Sequence, residues 1–518
     1  MVDGKRASGP EPDPARSVWA RVREKARRIG LSRVTGPFLL AAVFLLLLFR
    51  FYVYPPLPRY EAPAVLTPGT LGSKTSRLLV FAPHSDDEAL AAAGLIDQTL
   101  AAGGKVKVVL VTNGDGFTVA AEEELRTGRL TPRQYVELGY IRQGETLAAM
   151  AAVGLPAQDV IFLGYPDRGV AAMWERYWDF TRPFRSRYTG TSKSPYNDSF
   201  TPEAPYCGRQ LVNDIEKIIL GFQPTEIVVS HPSDAHPDHW AVFAFVTYAL
   251  EELRTEGFDP DRRISVWTYL VHRGDWPLPR GYHPADCLDP PRTLVGLKTR
   301  WYAYPLGPQA VSAKHTAIDR YRSQTTLMPF YLRSFIRKNE LFGVLPEERA
   351  AEAASGRTRG TAPALGEAET HWWGTSPVVL DPVDDTVFRR VERSADLVSV
   401  YAAVDGDRLF LLAKARGAPS PEVQYSFLIS DFGARGDRTF YRLTVTPPGT
   451  LAVEVDGQTE GPRVEAVRAG CRAQVTAGGV ELAVGLGVLE HPDRVFISVE
   501  SLIGRRVVDR TEWTVLGL

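Results

Sequence analysis

Short apolar runs alternate with longer, partly polar segments through the middle of the chain. The apolar runs predict strands at 78–82, 106–112, 160–163, 226–230 and 264–271. The longer segments predict helices at 87–102, 132–153, 210–220 and 240–250. Strands that alternate with helices of this length indicate a parallel sheet with right-handed crossovers. We therefore expect an α/β domain at residues 76–345.

Beyond a linker rich in Ala, Gly, Glu and Arg at 346–370, the pattern changes to short β-type runs. These runs are 397–402, 408–413, 424–429, 440–446, 451–455, 480–484 and 495–500. Turn signals such as Asp405-Gly406 and Asp456-Gly457 separate them, and this spacing favours an antiparallel β-sandwich at 371–518. Within the α/β domain, the aromatic-rich segment 174–206 is too long for an ordinary connection and predicts an ordered lid.

The N-terminal region differs from the rest in charge and hydropathy. Residues 1–33 are polar and strongly basic, and an apolar core at 38–49 follows. Extended to 34–54, this stretch has about the 20 residues that a membrane span needs. The basic excess precedes it, so the positive-inside rule predicts a single-pass membrane protein with a cytoplasmic N-terminus and an extracytoplasmic α/β domain. Residues 55–75 would be a linker.

A cleaved secretory signal is the alternative explanation of this apolar stretch. Arg50 and the aromatic residues after it stand where a small-residue cleavage site would be needed, which favours an uncleaved anchor.

Size and charge narrow the classes of protein further. A chain of 518 residues is long enough for two or three domains. The formal net charge of -1 gives no support for nucleic-acid binding, which calls for a basic domain. Three cysteines have neither zinc-finger nor disulfide-framework spacing. A Cys207–Cys287 bridge in an oxidising compartment and free buried thiols both remain open.

Two polar clusters follow predicted strands about 150 residues apart. The first is Pro83-His84-Ser85-Asp86-Asp87-Glu88, and the second runs from His231 to His239; together they hold four of the nine histidines. Open α/β sheets keep their active sites at the carboxyl ends of strands. Two imidazoles and one carboxylate, with a further position open to water, are the ligands of a catalytic zinc site. The pair of clusters therefore predicts a Zn²⁺ centre.

Zinc at such a site lowers the pKa of a bound water and polarises a carbonyl oxygen. A carboxylate outside the coordination shell is then the natural general base, and a nearby imidazole can act on the leaving amine. Asp86 is expected to point away from Asp87, toward the group that the metal activates.

These motifs resemble the LmbE/PIG-L family of zinc-dependent N-acetylglucosaminyl deacetylases. The family's first motif, His-Pro-Asp-Asp-Glu after a strand, is matched with Ser85 in place of Pro, and its second is matched by His236-Pro237-Asp238-His239. Further similarities are Arg142 and Glu145, Leu163-Gly164-Tyr165-Pro166-Asp167, and Lys314, Tyr321 and Gln324. The resemblance covers about residues 76–325.

The resemblance implies a Rossmann-like parallel sheet flanked by helices and a deacetylase that acts on an N-acetylated amino sugar in a glycan, glycolipid or small glycoside. It implies these roles: metal ligands His84, Asp87 and His239, general base Asp86, acid or oxyanion stabiliser His236, and substrate contact Arg142. Two alternatives remain open. One is a non-catalytic glycan-binding surface protein with the same fold, and the other is a zinc amidase for a non-sugar amide.

The C-terminal sandwich resembles carbohydrate-binding modules of the family 9 type at the level of strand patterns. A stabilising or protein-contacting sandwich is the alternative. Trp372 and Trp373 lie near the linker and fit either stacking on a sugar or sealing the fold.

Several polar residues have ordinary structural explanations. The triplet His491-Pro492-Asp493 lacks a second cluster and predicts only a turn. His231 fits either the pocket wall or a satisfied loop, and His272 is expected to be structural or on the surface. Asp234 fits either an outer carboxylate that orients a ligand or an Asx-turn.

Overall fold

The computed structural model describes residues 62–67, 69–274, 276–352, 365, 376–383, 393–432 and 438–518. The predicted basic tail at 1–33 and the predicted span at 34–54 lie outside the described residues, as do Trp372 and Trp373.

The localisation prediction needs correction. Among the described residues, no helix is both long enough and apolar enough to cross a membrane. The longest, Pro132–Ala152, has 21 residues, but charged side chains including Glu137 and Arg142 interrupt its apolar positions. The prediction of a single-pass membrane protein, with the membrane as a partner, is therefore wrong on this finding.

Eight strands form the first sheet. They are β1 (Ala64–Val65), β2 (Arg77–Ala82), β3 (Lys105–Thr112), β4 (Val160–Tyr165), β5 (Glu226–Ser230), β6 (Ser265–Tyr269), β7 (Arg300–Pro305) and β8 (Asn339–Val344). Their order is β1-β7-β8-β6-β5-β2-β3-β4, and β6, β5, β2, β3 and β4 are parallel neighbours. The predicted parallel sheet is confirmed. The pair β7–β8 adds an antiparallel extension that the sequence pattern did not predict.

Helices cover both faces of this sheet. They are α1 (Asp87–Ala101), α2 (Thr118–Glu124), α3 (Pro132–Ala152), α4 (Val170–Glu175), α5 (Gly208–Phe222), α6 (Pro237–Thr255), α7 (Pro308–Arg320), α8 (Arg322–Thr325) and α9 (Pro329–Arg333). Helices α1, α3 and α7 pack together, and α4, α5 and α6 form a second group. Two separate apolar cores result, one on each face.

Strands β2 and β5 lie side by side although about 150 residues separate them. After β2 the chain continues to β3 on one side, and it returns later to place β5 on the other side. This is the topological switch point of the parallel sheet, where loops after neighbouring strands diverge and leave a crevice. Both predicted polar clusters follow these two strands.

The C-terminal part is a two-sheet β region, as expected. Its elements are β9 (Glu348–Arg349), β10 (Ala351–Glu352), β11 (Val379–Leu380), β12 (Leu397–Asp405), β13 (Arg408–Ala415), β14 (Val423–Asp431), β15 (Phe440–Thr446), β16 (Thr450–Val455), α10 (Pro462–Gly470), β17 (Cys471–Thr476), β18 (Gly479–Gly485), β19 (Arg494–Ile503), β20 (Arg506–Arg510) and β21 (Thr514–Gly517). One sheet has the order β10-β12-β13-β18-β17, with β11 also on β12. The other has the order β16-β15-β14-β19-β21-β9, with β20 also on β19.

Some of these elements differ from the expectation. Strands β9 and β10 lie in the predicted linker, and α10, β17, β20 and β21 have no counterpart among the predicted runs. The cysteines are free: Cys207 and Cys471 are buried and Cys287 is exposed, so the alternative of a Cys207–Cys287 bridge does not hold.

The sandwich and the α/β domain share an aromatic core. Trp174 at the end of α4 packs edge-on against Trp513 and Phe496, with ring centroids 5.5 Å and 5.7 Å apart. Trp513 is also stacked on Trp240 of α6. All four side chains are buried and belong to the core on the α4–α6 face of the first sheet. The sandwich therefore completes the hydrophobic core of the α/β domain.

We expect Trp513→Ala to destabilise the protein by about 3–5 kcal/mol, because a large buried ring is replaced by a cavity. Urea unfolding measures this free energy. Ile503→Ala is the control: Ile503 is 40% exposed in the neighbouring strand β19, so we expect a change of less than about 1 kcal/mol. Equal effects of the two substitutions would contradict a shared core at Trp513.

Candidate functional site

The turn from β2 into α1 holds Asp86 in an unusual backbone conformation. Its φ is 109°, in the left-handed region that non-glycine residues avoid. A conformation of this kind costs about 1–3 kcal/mol and persists only where the surroundings impose it. Here the Glu88 carboxylate accepts the Asp86 N–H at 3.2 Å, and the Tyr321 hydroxyl donates to the other oxygen of Glu88. The Asp86 and Asp87 carboxylates are thereby separated.

Three potential ligand atoms converge beside this turn. His84 Nδ1 and Asp87 Oδ2 are 3.3 Å apart, His239 Nε2 and Asp87 Oδ2 are 3.1 Å apart, and the two imidazole nitrogens are 3.3 Å apart. A tetrahedral zinc site with ligand distances of about 2.0–2.1 Å places neighbouring ligand atoms about 3.3 Å apart. The triangle therefore fits Zn²⁺.

The Asp87 carboxylate gives a second indication of a metal. Its Oδ1 is buried and has no hydrogen-bond partner among the described residues. Burial disfavours ionisation of Asp87, but the imidazoles of His239 and His84 hold its pKa well below its usual value. A buried carboxylate with an unpaired oxygen has room for a further positive partner, and a metal ion at the triangle would supply it.

Outer carboxylates lie beside the second nitrogen of both imidazoles. His239 Nδ1 lies 3.2 Å from Asp234 Oδ2, and His84 Nε2 lies 3.3 Å from Asp238 Oδ2 and 3.4 Å from Asp167 Oδ1. Such partners hold a metal-binding imidazole by its second nitrogen. Asp234 also accepts the His236 N–H at 3.0 Å, so both explanations offered for it from the sequence hold at once.

Asp86 lies next to this triangle without belonging to it. Burial raises the pKa of its carboxyl to about 7, while the Arg142 guanidinium, 3.5 Å away, opposes the rise. A carboxylate that titrates near neutrality is well suited to accept and return a proton.

Arg142 connects the turn after β3 with the turn after β2. Its guanidinium donates to the Gly114 carbonyl at 2.9 Å and to the Ser85 carbonyl. Gly114 has a φ of +63°, and a Cβ there would lie 1.8 Å from Arg142 Nη1, so a side chain at this position would displace the guanidinium. The turn Asn113-Gly114-Asp115-Gly116 is thus shaped by Arg142.

A buried ion pair supports α1 from behind. Lys314 Nζ donates to Glu340 at 2.7 Å and to the Leu90 carbonyl at 2.7 Å. Glu340 in turn accepts the N–H groups of Gly94 and Leu95, each at 2.8 Å. Of the three residues Lys314, Tyr321 and Gln324, whose resemblance to the family was noted from the sequence, the first two lie behind α1 and Gln324 lines the cleft.

His236 begins helix α6 and faces the cleft. Its Nδ1 accepts the N–H of Asp238 at 3.2 Å, so the proton of the neutral ring is on Nε2. Burial and the imidazoles of His84 and His239 lower the pKa of His236 to about 2. A neutral ring with Nε2–H is a hydrogen-bond donor.

The cleft above the triangle has a volume of about 220 Å³. Its lining residues are His84, Asp86, Leu90, Phe117, Arg142, Asp167, Arg168, His236, His272, Gln324, Met328, Tyr331 and Leu332. The segment 174–206, predicted to be a lid, is absent from this lining among the described residues. That segment is ordered, and it packs beside the cleft, where the Tyr196 hydroxyl donates to Asp115 Oδ2 at 2.7 Å.

His272 was expected to be structural, and it lies in the site instead. Its ring centroid is 4.6 Å from that of His239 and 5.2 Å from that of His236. A ligand atom of His272 lies within 4.8 Å of those of the three proposed ligands. The signal for it was available: His272 follows β6, which is next to β5 in the sheet.

Two other histidines lie away from the cleft. His231 is buried with Nε2 2.8 Å from the Thr299 hydroxyl and Nδ1 accepting the Ser233 N–H at 3.0 Å, so it satisfies the loop after β5. His491 has a φ of 55° in a turn of the sandwich.

Part of the chain matches a known family. Residues 79–250 match the family model described as PIG-L, GlcNAc-PI de-N-acetylase. We call the α/β domain that contains this match the PIG-L-type domain. The prediction of an enzyme of the deacetylase kind is confirmed by this match and by the relatives below, which are named as deacetylases.

Two curated relatives of the PIG-L-type domain are 1D-myo-inositol 2-acetamido-2-deoxy-alpha-D-glucopyranoside deacetylases. The protein of Tsukamurella paurometabola is 27% identical over 213 residues, which cover 40% of this chain and 66% of the relative. That of Rhodococcus opacus (strain B4) is 26% identical over 274 residues, which cover 49% of this chain and 83% of the relative.

Two solved structures are also similar. A deacetylase mutant of the teicoplanin biosynthetic pathway is 18% identical with a TM-score of 0.32, over 52% of this chain and 98% of that chain. The N,N'-diacetylchitobiose deacetylase of Pyrococcus horikoshii is 18% identical with a TM-score of 0.31, over 52% and 83%.

We expect His239→Ala to abolish stoichiometric zinc binding, because it removes one of three ligand atoms. Asp234→Ala should weaken zinc affinity by about 10–100-fold, since it removes only the outer partner of His239. Elemental analysis and chelator competition measure both. His491→Ala, from the unpaired His-Pro-Asp triplet, is the control and should keep full zinc. Unchanged zinc content in His239→Ala would exclude this centre.

Proposed function

We propose that the PIG-L-type domain hydrolyses the acetamide of an N-acetylated amino sugar with Zn²⁺ held by His84, Asp87 and His239. The observation behind this proposal is the triangle of two imidazole nitrogens and one carboxylate oxygen beside Asp86, at 3.1–3.3 Å from one another. The two curated relatives are named as deacetylases of a 2-acetamido-2-deoxy sugar, which supports the substrate class.

Zinc, when bound, supplies Lewis acidity toward the amide carbonyl and makes water acidic near neutral pH. Asp86 takes a proton from the attacking water as the water oxygen bonds to the carbonyl carbon. The same carboxyl then returns that proton to the amide nitrogen as the carbon–nitrogen bond breaks. Acetate and a free amine are the products. The raised pKa of Asp86, about 7, suits both transfers.

His236 is better suited to stabilise the oxyanion than to act as the acid. Because Nδ1 already accepts the Asp238 N–H, the ring presents Nε2–H to the cleft as a neutral donor. A fixed donor aimed at developing negative charge is worth about 10²–10³ in rate. Of the two roles that the resemblance implied for His236, we favour this one.

Arg142 contributes through Asp86 and the cleft wall. It lines the cleft, which is consistent with a contact to substrate. Two of its nitrogens already donate to the carbonyls of Gly114 and Ser85. We therefore assign two effects to Arg142: it fixes the backbone of the turn at Asp86, and it stabilises the ionised form of the Asp86 carboxyl.

We expect the wild-type chain to release acetate from N-acetylated sugars. Asp86→Asn should lower kcat by about 10²–10⁴-fold and still bind zinc, because it removes the proton acceptor and no metal ligand. Acetate release is measured on chitooligosaccharides, lipid-linked N-acetylglucosamine and small glycosides. The control is Asp97→Asn, a partly exposed carboxylate on the same helix α1.

Two outcomes would contradict this proposal. One is acetate release from simple N-acetyl amides with none from any sugar. The other is full activity of Asp86→Asn.

The pH profile should report Asp86. Its carboxyl must be ionised, so kcat/KM rises with pH, with a midpoint no higher than about 7 because the bound cation adds positive charge. Arg142 lowers the pKa of Asp86, so Arg142→Met should move this acidic limb to higher pH. Steady-state rates between pH 5 and 9 test this, and an unmoved limb would show that Arg142 does not act on the titrating group.

A further inference from the structure

A second cleft, which we call the interdomain cleft, lies between the PIG-L-type domain and the sandwich. Its volume is about 690 Å³, three times that of the catalytic cleft. Its wall combines the first residues of the segment predicted to be a lid with one edge of the sandwich. Glu175, Trp178 and Phe180 line it on the first side, and Arg438, Phe440 and Arg463 line it on the side of the sandwich.

The interdomain cleft contains buried donors that are not satisfied. The Arg438 guanidinium is buried 3.8 Å from the ring centroid of Trp178. Its Nη2 donates to the Trp174 carbonyl at 2.6 Å, but Nε and Nη1, like Trp178 Nε1, have no partner among the described residues. Buried polar groups are normally hydrogen-bonded to protein, water or a ligand. A positive charge and unpaired donors thus lie directly behind this wall.

Charge decides which polar contents fit. Four guanidinium groups and four carboxylates line the interdomain cleft, so the lining has no net charge. Guanidinium groups only donate hydrogen bonds and ionised carboxylates only accept them. An anion would meet the four carboxylates, and a cation the four guanidinium groups. A hydroxyl both donates and accepts, so a neutral ligand with many hydroxyls can satisfy both kinds of group.

Aromatic rings supply the apolar part of the same wall. Trp178, Phe180 and Phe440 line the interdomain cleft, and Phe180 is 51% exposed. A large exposed ring beside hydrogen-bonding groups offers a flat surface to a ligand that has both C–H faces and hydroxyl edges.

We propose that the interdomain cleft binds a neutral saccharide. One short helix connects it with the catalytic cleft: Arg168, just before α4, lines the catalytic cleft, and Glu175 at the end of α4 lines the interdomain cleft. At about 1.5 Å per residue, the helix is about 9 Å long. The interdomain cleft thus holds a further part of the glycan whose acetamide is hydrolysed, which makes an oligosaccharide the substrate. That last step rests on the proposed function.

The experiment measures binding separately from turnover. N-acetylglucosamine hexamer is titrated calorimetrically into the full chain carrying Asp86→Asn, with and without Phe180→Ala. We expect Phe180→Ala to weaken hexamer binding at least tenfold, and kcat/KM for a small N-acetylated glycoside to stay within twofold in the Phe180→Ala single variant. Tyr282→Ala, at an equally exposed ring outside both clefts, is the matched control and should bind normally.

Arg463→Gln provides a second variant, and because this side chain is 52% exposed we expect its loss to leave the fold intact. Unchanged hexamer affinity in both variants would overturn the proposal, as would binding of inorganic phosphate in place of the hexamer. Cleft-dependent hexamer binding without any acetate release would leave the saccharide site standing and refute only the proposed function. Acetate release that is indifferent to Phe180 and Arg463 on long and short substrates would refute only the saccharide site.

Discussion

The Asp87 carboxylate is the group on which the catalytic cleft depends. It begins helix α1, accepts the N–H of His84 at 2.9 Å and faces both imidazoles. These contacts come from two chain segments that meet only because β2 and β5 are neighbours. The position of Asp87 therefore depends on the order of the strands and on the start of α1, and the two imidazoles depend on Asp87 in turn. Asp87 combines three unfavourable features: a buried charge, an unpaired oxygen and a strained neighbouring residue. Its contacts with His84 and His239 offset part of this cost.

The strained turn at Asp86 shows how the domain distributes this cost. Glu88 and Tyr321 hold the backbone of Asp86, Arg142 holds the carbonyl of Ser85, and the buried pair of Lys314 and Glu340 fixes the helix that follows. Helices α1, α3 and α7 each provide at least one of these contacts. The reactive carboxyl is therefore positioned by residues that lie behind the cleft, and its orientation is set before any substrate arrives.

The sequence predicted the parallel sheet and both polar clusters because strand runs and motif spacing are local signals. It missed β7–β8, β20 and β21, whose pairing depends on contacts distant in sequence. It placed His272 outside the site, since a lone histidine after a strand has no motif around it and only the order β6-β5-β2 brings it near His239. The lid at 174–206 stays a prediction: aromatic content predicts that the segment is ordered, but not the surface on which it packs, and none of its residues lines the catalytic cleft.

The tryptophan contacts between α4, α6 and the sandwich have a consequence for how this protein can evolve. Trp174, Trp240 and Trp513 are each buried by the other half of the chain. A sandwich exchanged for another β domain would leave indole rings in water on the helical half. Replacing the sandwich with an unrelated β domain would therefore destabilise the helical half as well. A substitution in one half keeps the protein stable only if the indole rings of the other half remain buried.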